Sequence, residues 1–159
     1  MPTDADLLAD LTPAQREAVL HFEGPLLILA GAGSGKTRVI TRRVAYLLQQ
    51  GVRPHNVLAI TFTNKAADEM RQRVAALVPE SRVWISTFHS LGARLLRQYA
   101  DRVNLDRNFT IYDQNDRHRL IKAALEQSGV DNVRFTPERI EGAISKAKNQ
   151  LLTPERYAA

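Results

Sequence analysis

Along the first hundred residues, short unbroken apolar runs alternate with longer stretches in which apolar positions recur every three or four residues. Leu26-Leu27-Ile28-Leu29, Val57-Leu58-Ala59-Ile60 and Val83-Trp84-Ile85 are of the first kind. Bounded by polar residues, glycine or proline, they predict buried strands over 25–30, 57–61 and 83–86. Val39, Ile40, Val44, Leu47 and Leu48 are of the second kind and form one stripe of a helix that closes at Gly51. Two more helices are predicted, one from about Lys65 to Leu77, interrupted by Pro79, and one from Ser90 to Tyr99. Ahead of the first strand, Thr12-Pro13-Ala14-Gln15 reads as a helix start, with threonine as cap, proline in the first turn and Gln15 as capping-box partner. That helix ends near His21. Repetition of strand, loop and helix implies an α/β domain, a parallel sheet with helices on its faces.

The pattern changes after residue 100. Phe109-Thr110-Ile111-Tyr112 predicts one more strand, but Asp113 to Gln127 has helical spacing, and Thr136-Pro137-Glu138 opens another helix that ends around Asn149. Thr153-Pro154-Glu155 repeats the same start signal close to Ala159. The chain therefore divides into an α/β part over 1–112 and a helical part over 113–159, with no internal repeat and no low-complexity tract between them.

Composition narrows the class of protein. The 159 residues are 44% hydrophobic and 25% charged, ordinary for a globular domain with a sizeable core. No apolar run approaches a membrane span, and the acidic start Met1-Pro2-Thr3-Asp4-Ala5-Asp6 is unlike a secretory signal, so a cytoplasmic protein away from membranes is expected. Absence of cysteine excludes disulfides and thiolate metal sites, and His21, His55, His89 and His118 are too scattered for a local zinc cluster. A net charge of +5 and a pI near 9.9 favour a polyanionic partner.

The chemistry concentrates in Ala30-Gly31-Ala32-Gly33-Ser34-Gly35-Lys36-Thr37, between a predicted strand and a predicted helix. Such a glycine-rich loop can turn its N–H groups inward around phosphates, and the helix N-terminus that follows adds partial positive charge. Lys36 then reaches the β- and γ-phosphates, and the Thr37 hydroxyl coordinates Mg²⁺, the only metal expected. The pattern G-x-x-x-x-G-K-[ST] asks for glycine where this chain has Ala30. A flexible Gly/Ser linker is the competing reading, and it fits poorly between a buried strand and an amphipathic helix.

Two further segments follow the second and third strands, at the sheet edge where ligands bind in open α/β folds. Thr61-Phe62-Thr63-Asn64-Lys65-Ala66-Ala67 and Thr87-Phe88-His89-Ser90 both mix an aromatic ring with small hydroxyls. Exposed rings stack bases and hydroxyls hold phosphates, which is single-strand binding chemistry. The alternative makes Phe62 and Phe88 core residues at strand ends, with Thr63 and Ser90 as helix caps.

Taken together, Leu11-Thr12-Pro13-Ala14-Gln15, Ala30 to Thr37, Thr61 to Ala67 and Thr87 to Ser90 resemble, in order and spacing, motifs of superfamily 1 DNA helicases of the UvrD/PcrA/Rep type. The alanine at position 30 belongs to that family's pattern. The resemblance implies a P-loop, RecA-like domain, interrupted after about residue 113 by the start of a helical insertion. It implies that Gln15 hydrogen-bonds the adenine edge, selecting ATP over GTP, and that Arg38 stacks on the adenine ring. By the same resemblance Phe62 stacks on a DNA base, Thr63, Asn64, Thr87, His89 and Ser90 hold the strand's backbone, and Phe88 is structural. Lys146 and Lys148 face either DNA or solvent.

What the resemblance implies for function is ATP-dependent 3′-to-5′ DNA unwinding in repair or replication restart, with ATP and Mg²⁺ as cofactors and single-stranded DNA and duplex junctions as partners. An acidic pair that orients the attacking water and an arginine opposite the γ-phosphate are also needed. Neither is visible, since Asp68-Glu69 falls inside the second strand's helix. The expectation is therefore an N-terminal helicase fragment that does not hydrolyse ATP or unwind DNA by itself. A subunit of a helicase-nuclease complex, and a binding module without turnover, are the alternative readings; an unrelated P-loop kinase leaves the two aromatic-hydroxyl segments unexplained.

Overall fold

The computed structural model describes residues 3–130 and 134–158, which divide into two compact units, Met1–Arg107 and Asn108–Ala159. In the first unit the helices are α1 (Asp4–Leu8), α2 (Pro13–Leu20), α3 (Lys36–Gln49), α4 (Asn64–Leu77) and α5 (Phe88–Gln98). Strands β1 (Leu58–Thr61) and β2 (Trp84–Thr87) pair in parallel, with Leu58 opposite Trp84 and Thr61 opposite Thr87. Because parallel neighbours cannot be joined by a tight hairpin, the chain returns through α4 between them. The result is an α/β arrangement with a small two-stranded parallel sheet.

The core explains the apolar spacing. Val44, Ala45 and Leu48 of α3 meet Ala67, Met70 and Val74 of α4 over Ala59 and Ile85 of the sheet, and Leu7 of α1 completes the cluster. A smaller cluster joins Leu11, Ala18 and Val19 to Val39. Two consecutive arginines of α3 bind these layers together. The Arg42 guanidinium donates to the Leu7 carbonyl at 2.9 Å and to the Ala9 carbonyl, and Arg43 donates to the Ala18 carbonyl at 2.8 Å and to the His21 carbonyl. Each satisfies carbonyls that a helix end leaves without an intrahelical partner.

Two predicted strands are corrected. Residues 25–30 form no ladder, because no described residue pairs with them, and their exposure alternates, with Leu27 and Leu29 at 81% and 87% against 40% and 38% for Leu26 and Ile28. The alternation is that of a strand, without the neighbours that would bury it. Residues 109–112 also lack a partner, and Ile111 and Tyr112 are exposed. Helix α1 has no counterpart in the sequence reading, since its five residues are too few for an apolar period.

The second unit contains α6 (Gln114–Ser128), α7 (Pro137–Asn149) and α8 (Pro154–Ala158). Helix α6 begins with a capping box between Asp113 and Asp116, and Thr136 caps α7 by accepting from the Arg139 N–H. An ion pair of 3.1 Å between Arg117 and Glu141 spans α6 and α7, as does a 3.7 Å approach of His118 to Glu138. These helices start within two residues of the predicted positions.

Candidate functional site

The glycine-rich loop leads directly into α3, with Gly35 as its N-cap. Gly33 and Gly35 adopt φ of 74° and 82°, the left-handed region that costs a residue with a Cβ about 1–2 kcal/mol. Lys36 and Thr37 therefore occupy the first turn of a 14-residue helix, at its positive end. The Lys36 ammonium donates to the Ala30 carbonyl at 3.0 Å and to the Gly31 carbonyl at 2.5 Å, leaving one of its three protons uncommitted. The Ser34 hydroxyl donates to the Gly31 carbonyl at 2.7 Å. These bonds hold the loop as a closed curve around its lysine.

Gln15 joins this loop from a different helix. Its carbonyl oxygen accepts from the Thr12 N–H at 3.0 Å, completing the capping box of α2, and its amide nitrogen donates to the Ser34 carbonyl at 2.8 Å. The capping and loop-facing roles of Gln15 are thus simultaneous. Gln15, Ser34 and Lys36 border a cavity of about 420 Å³ whose apolar wall includes Ala14, Ala18 and Ile28. Apolar walls with a few convergent polar groups suit a small organic ligand. Arg38 is exposed one residue beyond Thr37, and Ala32 is exposed in the loop.

A second cluster forms where the two strands end. Thr61 and Thr87 are paired, so the next residues, Phe62 and Phe88, lie side by side with ring centroids 5.1 Å apart and planes tilted by 41°. Phe62 is 81% exposed and Phe88 about half exposed, so neither is a core residue. Thr63 caps α4 by accepting from the Ala66 N–H, and Asn64 is exposed in that helix's first turn. His89 and Ser90 are exposed at the start of α5. Thr87 differs from its neighbours. It is buried, and it, rather than Ser90, caps α5, accepting from the Ser90 N–H and donating to the Ser90 hydroxyl. Parallel register is the signal that pairs Phe88 with Phe62, and it was available in the two equivalent Thr-Phe steps.

The acidic residues lie elsewhere. Asp68 is bonded to Arg71 and Glu69 to Arg73 on the exposed face of α4, and among the described residues no group of three or more His, Asp or Glu side chains could hold a metal. Among the described residues no helix is long and apolar enough to cross a membrane.

A glycine-rich loop at a helix N-terminus, bonded to a glutamine of another helix, and an aromatic pair where two parallel strands end are the features set against known families. The sequence pattern of the UvrD/REP helicase N-terminal domain matches residues 11–159, and the chain belongs to that family. It is 55% identical over 152 residues to a protein from Staphylococcus epidermidis named ATP-dependent DNA helicase PcrA, covering 94% of this chain and 21% of that protein. A protein of the same name from Staphylococcus aureus is 54% identical over 151 residues, 93% of this chain and 21% of its own length. The chain thus spans about a fifth of the length of these relatives.

Proposed function

We propose that this chain is the ATP- and single-stranded-DNA-binding N-terminal part of an ATP-dependent DNA helicase that moves 3′ to 5′ and works in the cytoplasm on single strands and duplex junctions. The observation that carries the reading is the bond from Gln15 to the loop carbonyl of Ser34. It puts a side chain able to donate and accept along adenine's edge against the loop that would cradle phosphates. Lys36 serves the β- and γ-phosphates, Ala30 to Gly35 line them with backbone, and Arg38 stacks on the base. Mg²⁺ would be held on the protein side by the half-buried Thr37 hydroxyl and would neutralise charge that develops on the phosphates.

Phe62 and Phe88 form a stacking platform, and Thr63, Asn64, His89 and Ser90 hold the strand's backbone around it, with Thr87 fixing the turn from which they project. The first part, 1–112, is a portion of a RecA-like domain whose sheet would continue through residues 25–30. The second, 113–159, begins a helical insertion. With Asp68 and Glu69 committed to arginines on α4, turnover would need an acid and an arginine supplied from outside these 159 residues, which by themselves bind nucleotide without useful turnover. An arginine finger alone is commonly worth about 10³–10⁵ in rate. The reading is tested by titrating the chain with ATP and Mg²⁺ and assaying hydrolysis with excess single-stranded DNA, with Lys36→Ala as control. Binding that Lys36→Ala abolishes, without turnover, is expected. DNA-stimulated hydrolysis at ordinary enzyme rates, lost in Lys36→Ala, would show that a catalytic acid lies within these residues.

A further inference from the structure

We infer that Gln15 is a brace that holds the phosphate loop in its binding shape, so that the base end and the phosphate end of the cavity act as one unit. The inference rests on the ATP-binding reading above and concerns how that site is held. A primary amide has two donors and two acceptor positions. In Gln15 one acceptor position takes the Thr12 N–H and one donor serves the Ser34 carbonyl, and both partners are backbone groups on different segments, the start of α2 and the crest of the loop. A half-turn of the amide would set its oxygen against the Ser34 carbonyl and its NH₂ against the Thr12 N–H. The amide therefore has a single orientation, and it retains one donor and one acceptor for a base edge. The loop is shaped to receive it. A Cβ on Gly35 would lie 3.1 Å from the Gln15 amide nitrogen, so a side chain there would press the amide back by a few tenths of an ångström, and the positive φ favours glycine on its own account.

This arrangement separates two roles that one glutamine can have. If Gln15 only reads the base, its loss leaves the affinity for a ligand without a base untouched. If it braces the loop, its loss frees the Ser34 carbonyl, and a baseless polyphosphate must organise the loop at its own cost. Thr12 is a positioning residue through its N–H, whereas its hydroxyl serves only the Gln15 N–H, the helix cap at 3.3 Å.

The test compares ATP with inorganic triphosphate, each with Mg²⁺, by calorimetric titration of the wild-type chain, Gln15→Ala and Thr136→Ala, with circular dichroism to verify folding. Gln15→Met, which preserves side-chain length, replaces the alanine variant if that fails to fold. The expected result is a loss of about threefold to tenfold in triphosphate affinity on removing Gln15, the scale of one neutral hydrogen bond, with a larger loss for ATP. Thr136→Ala, which removes a comparable helix cap far along the chain from the loop, should leave triphosphate affinity unchanged. An unaltered triphosphate affinity in the Gln15 variants, with ATP weakened, overturns the brace and leaves the ATP reading intact. An equal loss in Thr136→Ala assigns the effect to general loosening of the fold and also overturns it. A wild-type chain that binds neither ligand removes the ATP reading and the brace with it.

Discussion

Replacing Phe62 by alanine separates the DNA-platform reading from the core reading most cleanly. The ring is 81% exposed and packs beside Phe88, at 5.1 Å and 41°. An aromatic pair adds about 0.5–1.5 kcal/mol beyond area burial, and with the Phe62 ring mostly in water the stability loss should sit at the lower end of that range. Base stacking on an aromatic side chain is worth about 1–3 kcal/mol per base, which is roughly fivefold to a hundredfold in affinity. The two effects therefore differ enough to be told apart. Anisotropy of a labelled oligothymidylate should report the affinity loss, and thermal unfolding should change little. Salt offers a second readout. The ring contributes no phosphate contact, so plots of log affinity against log salt for wild type and Phe62→Ala should be parallel and offset. Phe88→Ala should weaken binding as well, with a larger stability cost because that ring is half covered. Unchanged DNA affinity in a well-folded Phe62→Ala chain, or a chain that unfolds easily while its folded fraction binds normally, would refute the platform.

Three further outcomes follow from the geometry. Gly35→Ala should weaken nucleotide binding, because a residue with a Cβ is strained at the φ of 82° and its Cβ would crowd the Gln15 amide at 3.1 Å; titration with ATP alongside thermal melts checks this. Thr87→Ala should destabilise the fold by about 1 kcal/mol through loss of the α5 cap, measured by denaturant unfolding, whereas Ser90→Ala, which keeps that cap, should cost less. Glu138 is held below the usual carboxylate range by its own backbone N–H, by the Thr136 hydroxyl and by the nearby His118. A depressed folded-state pKa contributes stability above the unfolded value that is lost as pH falls through the folded one, so α7 should loosen below about pH 4.5 and Glu138→Gln should flatten that acid limb in a circular dichroism titration.

Local signals were legible in the sequence where they rest on neighbours along the chain. The caps at Thr12, Thr63 and Thr136, the closure of α3 at Gly51 and the αβ order all follow from spacing and turn chemistry. Residues 25–30 were apolar enough to read as a strand, yet a strand is defined by a partner, and hydrophobicity carries no information about whether one is present. Gln15 shows the same limit at the site. Its capping-box position was visible, but its bond to Ser34 joins residues nineteen apart and depends on how α2 lies against α3. The pairing of Phe88 with Phe62 likewise depends on the register of β2 against β1, which joins residues far apart in the chain.

The match to the helicase family begins at residue 11, but the folded unit does not. Leu7 is fully buried among α3 and α4 side chains, and the Arg42 guanidinium is held by carbonyls of residues 7 and 9. Trimming the chain to the boundary of the family match would open a hole where Leu7 sits, comparable to a large-to-small core substitution of about 2–5 kcal/mol, and would strand a cation at the middle of the helix that carries Lys36 and Thr37. Residues 3–10 act as a keel for α3, so a tag inserted between Thr3 and Asp10 should register at the glycine-rich loop, at the N-terminal end of that helix.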